Sequence, residues 1–281
     1  MPDTFHIGEK AIDNLVSRKQ LQCMVEILET AITYSIDDTI RATQMLENMG
    51  VGCIISLGGD GTNRAIAKAI VNVPLLPIST GTNNVYPEMI EGTIAGITAA
   101  VVASRGYDCS MLCQKDKRIE ICKDDRIIDI ALIDAVVSTE NFVGARAIWD
   151  ISNISDIFVT RANPKSIGFS SIAGFMTRVT REDDFGLRIK LGNSGGQVIK
   201  APVSAGVVEE VHIVESEKIP VGEEYIYEAK AAGTIALDGE REITVKKGEN
   251  VTFKISRTGP YKIDVRKTLE VAQDTGFFIK E

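Results

Sequence analysis

The sequence predicts an α/β fold in which a parallel-sheet domain is followed by a β-rich domain and a C-terminal helix returns to the first. Three observations predict it. Strand-like and helical segments alternate over the first hundred residues, strands and turns dominate beyond Gly106, and helical periodicity reappears after residue 263. The expected boundaries are 1–106 with the returning tail 264–281 for the α/β domain, and 107–263 for the β-rich domain.

Residues 24–31, "MVEILETA", are expected as a strand, and "DDTIRATQMLENMG" as a helix capped by Asp37 or Asp38 and closed at Gly50. "VGCIISLGG" then reads as a strand. After its glycines a second helix puts Ile66 and Ile70 on one face, and "VPLLPIST" follows as a third strand. A long helix is expected from Glu88 to Ser104, with Ile90, Ile94, Ile97 and Val101 on one stripe. Parallel strands with crossover helices are the consequence.

In the second half "KRIEICKDDRIIDIALIDAVVS" reads as a hairpin through "KDDR", and "LRIKLGNSGGQVIKAPVSAGVV" as another through "GNSGG". "GTIALDGEREITVKKGENVTFKIS" adds two strands after a "DGE" turn. The ending "DVRKTLEVAQDTGFFIK" is helical, with Leu269, Val271 and Ala272 on its apolar side and Gly276 as its stop.

With 281 residues and 44% hydrophobic content the chain buries a substantial core, and a net charge of −8 argues against a nonspecific nucleic-acid binder. Phosphate can still be held locally by backbone amides. No basic segment leads into an apolar stretch at the start, and no apolar run is long enough for a bilayer, so a cytoplasmic protein without membrane contact is expected. Five cysteines, at 23, 53, 109, 113 and 122, do not form a secreted disulfide pattern. "CSMLC" with Cys122 offers three soft ligands but no fourth, so no metal-ligating set is predicted. His6 and His212 lie in apolar surroundings, which disfavours histidine-centred chemistry.

"IISLGGDGTNRAIAKAI", residues 54–70, runs from an apolar strand through two glycines and a carboxylate into a helix. The glycines permit positive φ and clear Cβ atoms from the backbone, so N–H groups at Gly59, Gly61 and Thr62 can meet an anion at a helix N-terminus. Asp60 needs another explanation. A carboxylate beside phosphate is repulsive unless Mg²⁺ or a proton transfer compensates it, which suggests phosphoryl-transfer chemistry. The alternative is an ordinary turn with Asp60 or Thr62 as N-cap. "PISTGTNNVYP", residues 77–87, again ends a strand in small polar residues, so both loops are expected at the carboxyl edge where ligands of open α/β sheets bind.

The combination of "GGDGTNR", "STGTNNVYP", "ALIDAVV", "SIGFSSIAGF" and "ALDGERE" resembles the NAD kinase and diacylglycerol kinase superfamily, and within it the branch named for acetoin catabolism protein X. The resemblance implies a Rossmann-like, NAD kinase-like first domain. It implies that Gly58, Gly59, Gly61, Thr62 and Asn63, with Thr80, Gly81, Thr82, Asn83 and Asn84, bind the nucleotide. Asp60 is implied as the catalytic or metal-organising carboxylate, and Glu240 of the late Asp-Gly-Glu turn competes with it for the role of base. Asp134, Ser170 and Asp238 are implied on the substrate side, with Ile133 where NAD kinases carry asparagine. "SIGFSSIAGF" keeps Phe169, Ser170, Ala173 and Gly174 of the NAD kinase stretch but not its leading Thr-Gly-Ser-Thr. The family's opening strand is expected to be shortened or absent, because only about fifty residues precede the glycine turn.

The function expected is a kinase using ATP and Mg²⁺ to phosphorylate a hydroxyl on a small or nucleotide-like acceptor, in a homo-oligomer. The alternatives are a noncatalytic nucleotide binder and a lipid kinase, the last opposed by the lack of a membrane-binding amphipathic segment.

Overall fold

The computed structural model describes residues 7–21, 23–139 and 151–279. The chain begins with α1 (Ile7–Ser17) and α2 (Ile36–Met49). Ser35, not Asp37 or Asp38, caps α2 by accepting the Asp37 N–H, and Gly50 closes it in the left-handed conformation at φ 61°. Asp38 is instead buried, accepting the Thr33 and Tyr34 N–H groups.

The strand expected at 24–31 does not form, and Met24, Val25 and Ile27 are exposed there. A strand is completed by a neighbour's ladder, and no described residue pairs with this segment. The first strand is therefore β1 (Ile54–Gly58), followed by α3 (Asp60–Ala67), β2 (Leu75–Ser79), α4 (Gly92–Ala103), α5 (Cys109–Leu112) and β3 (Cys113–Lys115). β1 and β2 are parallel, with Gly58 opposite Ser79, so the glycine turn and the 77–87 loop leave the sheet at one edge. β15 (Tyr261–Ile263) joins β2 in parallel and completes a four-stranded sheet of order β1-β2-β15-β3. α7 (Val265–Asp274) follows, and Val271 and Ala272 pack into the apolar cluster formed with α4, α5 and this sheet. The tail returns as expected.

α4 buries Ala95, Thr98, Ala99, Val101 and Val102, whereas Ile94 and Ile97 are more than a third exposed. The face is rotated from the expected isoleucine stripe. This helix is apolar all round, so its periodicity selects no face, and the small residues allow the closer approach to the sheet.

The second half contains β4 (Arg118–Lys123), β5 (Arg126–Ala131), β6 (Asp134–Ser138), β7 (Ile154–Val159), α6 (Phe169–Met176), β8 (Phe185–Gly192), β9 (Gln197–Ser204) and β10 (Val207–Pro220). β11 (Glu224–Glu228), β12 (Gly233–Leu237), β13 (Glu240–Val245) and β14 (Asn250–Ser256) complete it. The β4–β5 hairpin turns through Asp124 and Asp125, both at positive φ, as "KDDR" suggested. The second expected hairpin is not one. β10 lies between β8 and β9 in the seven-stranded sheet β13-β12-β6-β7-β8-β10-β9, because its 14 residues reach both neighbours.

Alternation along β7 shows how this half is layered. Ile157 and Val159 face a core shared with α6, while Phe158 points to the opposite face and stacks on Phe253 of the sheet β11-β14-β4-β5 at 3.9 Å between ring centroids. A further apolar cluster joins the halves, with Ile54, Ile66, Leu75 and Tyr86 against Ile130, Leu132 and Ile133. It holds the loops of the parallel sheet beside the start of β6. No helix among the described residues is long and apolar enough to cross a membrane.

Candidate functional site

The glycine turn is shaped by close approach rather than by positive φ, which Gly58, Gly59, Gly61 and Gly81 all lack. A Cβ on Gly58 would lie 2.6 Å from Thr62 Oγ1, one on Gly59 2.8 Å from Asn84 Oδ1, and one on Gly61 2.9 Å from Glu240 Oε1. Three distant segments therefore converge on this corner. Neither Asp60 nor Thr62 caps α3: its N-cap is Gly59, in extended backbone with no side-chain cap hydrogen bond. The N-cap residue therefore supplies no side-chain acceptor to the amides of the first turn.

Asp60 turns away from that corner toward the second loop. Its carboxylate accepts the Val85 N–H at 3.0 Å and the Tyr86 N–H at 2.8 Å, fastening the 77–87 segment to the glycine turn. Burial raises its pKa, and the two amides together with Arg161 and Lys262 oppose the rise. Asn63 is fully buried, accepting from Ser56 Oγ at 2.6 Å and donating to the Gly59 carbonyl at 2.8 Å, so its side chain shapes the turn from beneath. Asn84 donates to Ser79 Oγ at 2.8 Å, and Ser79 Oγ donates to the Gly81 carbonyl at 2.7 Å. Thr80, Thr82 and Asn83 are exposed on the same loop.

The β-rich half contributes the opposite wall. Asp238, at φ 49° in the β12–β13 turn, accepts the N–H groups of Leu132 at 2.9 Å, Ile133 at 2.7 Å and Asp134 at 3.2 Å. Burial pushes its pKa up to about 6 against those hydrogen bonds and the nearby Arg64. This turn thereby pins the start of β6. Asp134 is only 7% exposed, and burial beside Asp238 and Asp60 holds its carboxyl well above the usual carboxylate range. Its Oδ1 and the buried Ser170 Oγ, at the start of α6, have no hydrogen-bond partner among the described residues.

Asp60, Asn83, Asp134, Ser170 and Asp238 share the wall of one cavity of about 180 Å³. Glu240 is half exposed and lies beside Gly61, at the glycine corner and outside the cavity wall.

Two groups of residues escaped the sequence reading. Arg64 is fully buried and donates to Glu240 Oε2 at 3.0 Å while lying 3.9 Å from Asp238. Its spacing four residues after Asp60, within an otherwise apolar buried face, was the available signal. Behind Asp60, Arg161 stacks over Tyr86 at 5.0 Å and pairs with the fully buried Asp116 at 3.3 Å, which Arg181 also approaches to 3.3 Å. Burial would raise the Asp116 pKa, but the two guanidiniums bring it below its ordinary value. These positions are scattered from 86 to 181, so no local pattern announces them.

The donor set suits phosphate at the glycine corner, where an uncapped helix start meets glycines whose Cβ atoms would crowd the neighbouring side chains. No group of three or more metal-ligating side chains occurs among the described residues. A Mg²⁺ brought in by a nucleotide needs only one or two carboxylates besides the phosphates, and the half-exposed Glu240, already paired with Arg64, is the carboxylate at that corner. Of the cysteines considered as ligands, Cys122 lies on β4, apart from Cys109 and Cys113, which pack with Cys53 beside α4.

Two family models match the chain. Residues 6–107 match the ATP-NAD kinase N-terminal domain, and residues 117–258 match the acetoin catabolism protein X C-terminal domain. Acetoin catabolism protein X of Cupriavidus necator is 37% identical over 247 residues, covering 86% of this chain and 68% of that protein. In fold the chain is similar to yeast NADH kinase, crystallised in complex with NADH, with a TM-score of 0.51 at 15% identity, covering 82% of this chain and 67% of that one. With a relative of that identity along most of its length, and with both halves matched in order, the chain belongs to the acetoin catabolism protein X family and has the NAD kinase fold.

Proposed function

We propose that the protein is an ATP- and Mg²⁺-dependent phosphotransferase that moves the terminal phosphoryl group to a hydroxyl of a small or nucleotide-like acceptor. One observation carries the reading: an uncapped helix start suited to phosphate lies next to a cavity walled by Asp60, Asp134 and Ser170. Gly58, Gly59, Gly61 and Thr62 would hold phosphates, and Thr80 to Asn84 would border the nucleotide. Mg²⁺ would neutralise phosphate charge.

Asp60 is the better candidate for the base, because it lines the cavity whereas Glu240 does not. Its raised pKa matches a group that must take a proton and later release it. The amides of Val85 and Tyr86 hold the carboxylate still, and Asp238 holds the backbone that carries Asp134. In this reading residues 1–106 with 264–281 serve the nucleotide and 107–263 the acceptor, in a cytoplasmic homo-oligomer.

A second reading is favoured by the same hydrogen bonds. Asp60 is explained as a fastener between two loops without any chemistry, as a noncatalytic nucleotide binder would require. The deciding experiment offers purified protein ATP and Mg²⁺ with NAD, lipid and polyol acceptors, and repeats it with Asp60→Asn. A kinase transfers phosphate to one of them and loses on the order of 10²-fold or more in rate with the substitution. Nucleotide-dependent stabilisation without transfer to any acceptor favours the binder.

A further inference from the structure

We propose that the cavity between Asp60, Asp134 and Ser170 takes a small uncharged ligand bearing neighbouring hydroxyl groups. Naming that ligand as the phosphoryl acceptor rests on the kinase reading; its binding does not.

Size is the first restriction. At about 180 Å³ the cavity falls below the range of roughly 300–1,000 Å³ typical of pockets for drug-sized molecules. A dinucleotide would have to extend well outside this space, whereas a polyol of three or four carbons fits within it.

Charge is the second. Three aspartates line the cavity, and its walls carry no lysine, arginine or histidine among the described residues. An anionic ligand would find no cation on this wall and would be repelled by whichever of these carboxylates is ionised. Asp238 is already saturated by three backbone N–H groups.

Unused hydrogen-bonding capacity is the third. Asp134 Oδ1 and Ser170 Oγ are buried and unpartnered, and such groups are costly unless something binds them. Burial favours the protonated form of Asp134, in which the carboxyl can donate as well as accept, like the serine hydroxyl. Two donor–acceptor groups on the wall of one small cavity match a ligand with neighbouring hydroxyls. Ile133, Ile167, Phe169 and Val203 supply the apolar remainder of the wall, which suits a carbon backbone. Ile133 stands beside Asp134, so this part of the wall offers no side-chain amide.

The test uses glycerol and meso-erythritol as neutral probes, glycerate as the charged analogue and NAD as the large one, with binding followed by saturation-transfer NMR. Saturable binding of a neutral polyol is expected, weakened at least tenfold by Ser170→Ala and by Asp134→Ala. Asp134→Asn, which preserves volume, serves where the alanine variant does not fold, and should weaken binding several-fold. Failure of both polyols to bind saturably overturns the proposal, as does Asp134-dependent binding of glycerate or NAD in their place. ATP is titrated separately by calorimetry. Polyol binding without ATP binding removes the kinase reading and leaves the cavity assignment standing; ATP binding without polyol binding does the reverse.

Discussion

Arg64 donates to Glu240 across 3.0 Å, joining the helix of the glycine turn to the far end of the β-rich half. The same guanidinium lies 3.9 Å from Asp238 and 3.5 Å from Asp129. One buried cation thus organises three carboxylates from the second half of the chain around the first helix after the phosphate corner.

Arg64→Met keeps the volume and removes that charge. Asp238, fully buried, would then lose its nearest cation, and leaving such a charge uncompensated costs about 3–5 kcal/mol. Chemical denaturation should show a loss of that size. A loss below about 1 kcal/mol would mean that the cluster is held by backbone hydrogen bonds alone.

Asp60→Asn keeps one oxygen, within reach of both the Val85 and Tyr86 N–H groups, but puts an NH2 that cannot accept where the second oxygen met the Val85 N–H at 3.0 Å. A destabilisation of about 1–3 kcal/mol is expected. Hydrogen exchange should quicken first at Val85 and Tyr86. Unchanged exchange at these two amides would show that the fastening role is not Asp60's.

Asp134→Asn should alter the pH dependence of stability. The folded-state pKa of Asp134 lies above the unfolded value, so the folded protein binds this proton more tightly. Its contribution is fully present below the ordinary aspartate pKa of about 3.9 and is lost as pH rises toward the folded value. Asp238 acts in the same direction between about 4 and its folded value of about 6. Melting curves from pH 4 to 8 should show the Asn variant gaining on the wild type as pH increases. Parallel curves would place Asp134 in its charged form throughout.

Gly61→Ala and Gly174→Ala should behave oppositely. The new Cβ at 61 meets the flexible end of Glu240 at 2.9 Å, so the fold tolerates it while the phosphate corner is crowded. At 174 the Cβ would lie 2.4 Å from the Asn163 carbonyl oxygen, which is backbone and cannot swing aside. Differential scanning calorimetry should find Gly174→Ala weaker by about 1–3 kcal/mol, typical of overpacking, and Gly61→Ala nearly unchanged in stability. ATP titration should find binding impaired only in Gly61→Ala.

Much of this architecture is legible in local pattern. The β1–α3–β2 order, the "KDDR" and "DGE" turns and the returning α7 follow from strand length, turn residues and helix stops, which act over a few residues. What misled was always a missing neighbour. Residues 24–31 have a strand's composition and no described strand to pair with, and "GNSGG" looks like a hairpin until β10 is seen between its arms. The apolar face of α4 depended on which side met the sheet.

By itself, the sequence determined which residues stand at strand ends and helix starts, and so which ones a ligand-binding edge would contain. Only the tertiary structure decided that Asp60 faces Val85 and Tyr86, that Asp238 binds the backbone at the start of β6, and that Asp134 Oδ1 and Ser170 Oγ lack a partner among the described residues on the wall of one small cavity. Local preference depends on a residue and its near neighbours in the chain. Burial, charge compensation and unsatisfied hydrogen bonds depend on groups that are distant in sequence and meet only when the chain is folded.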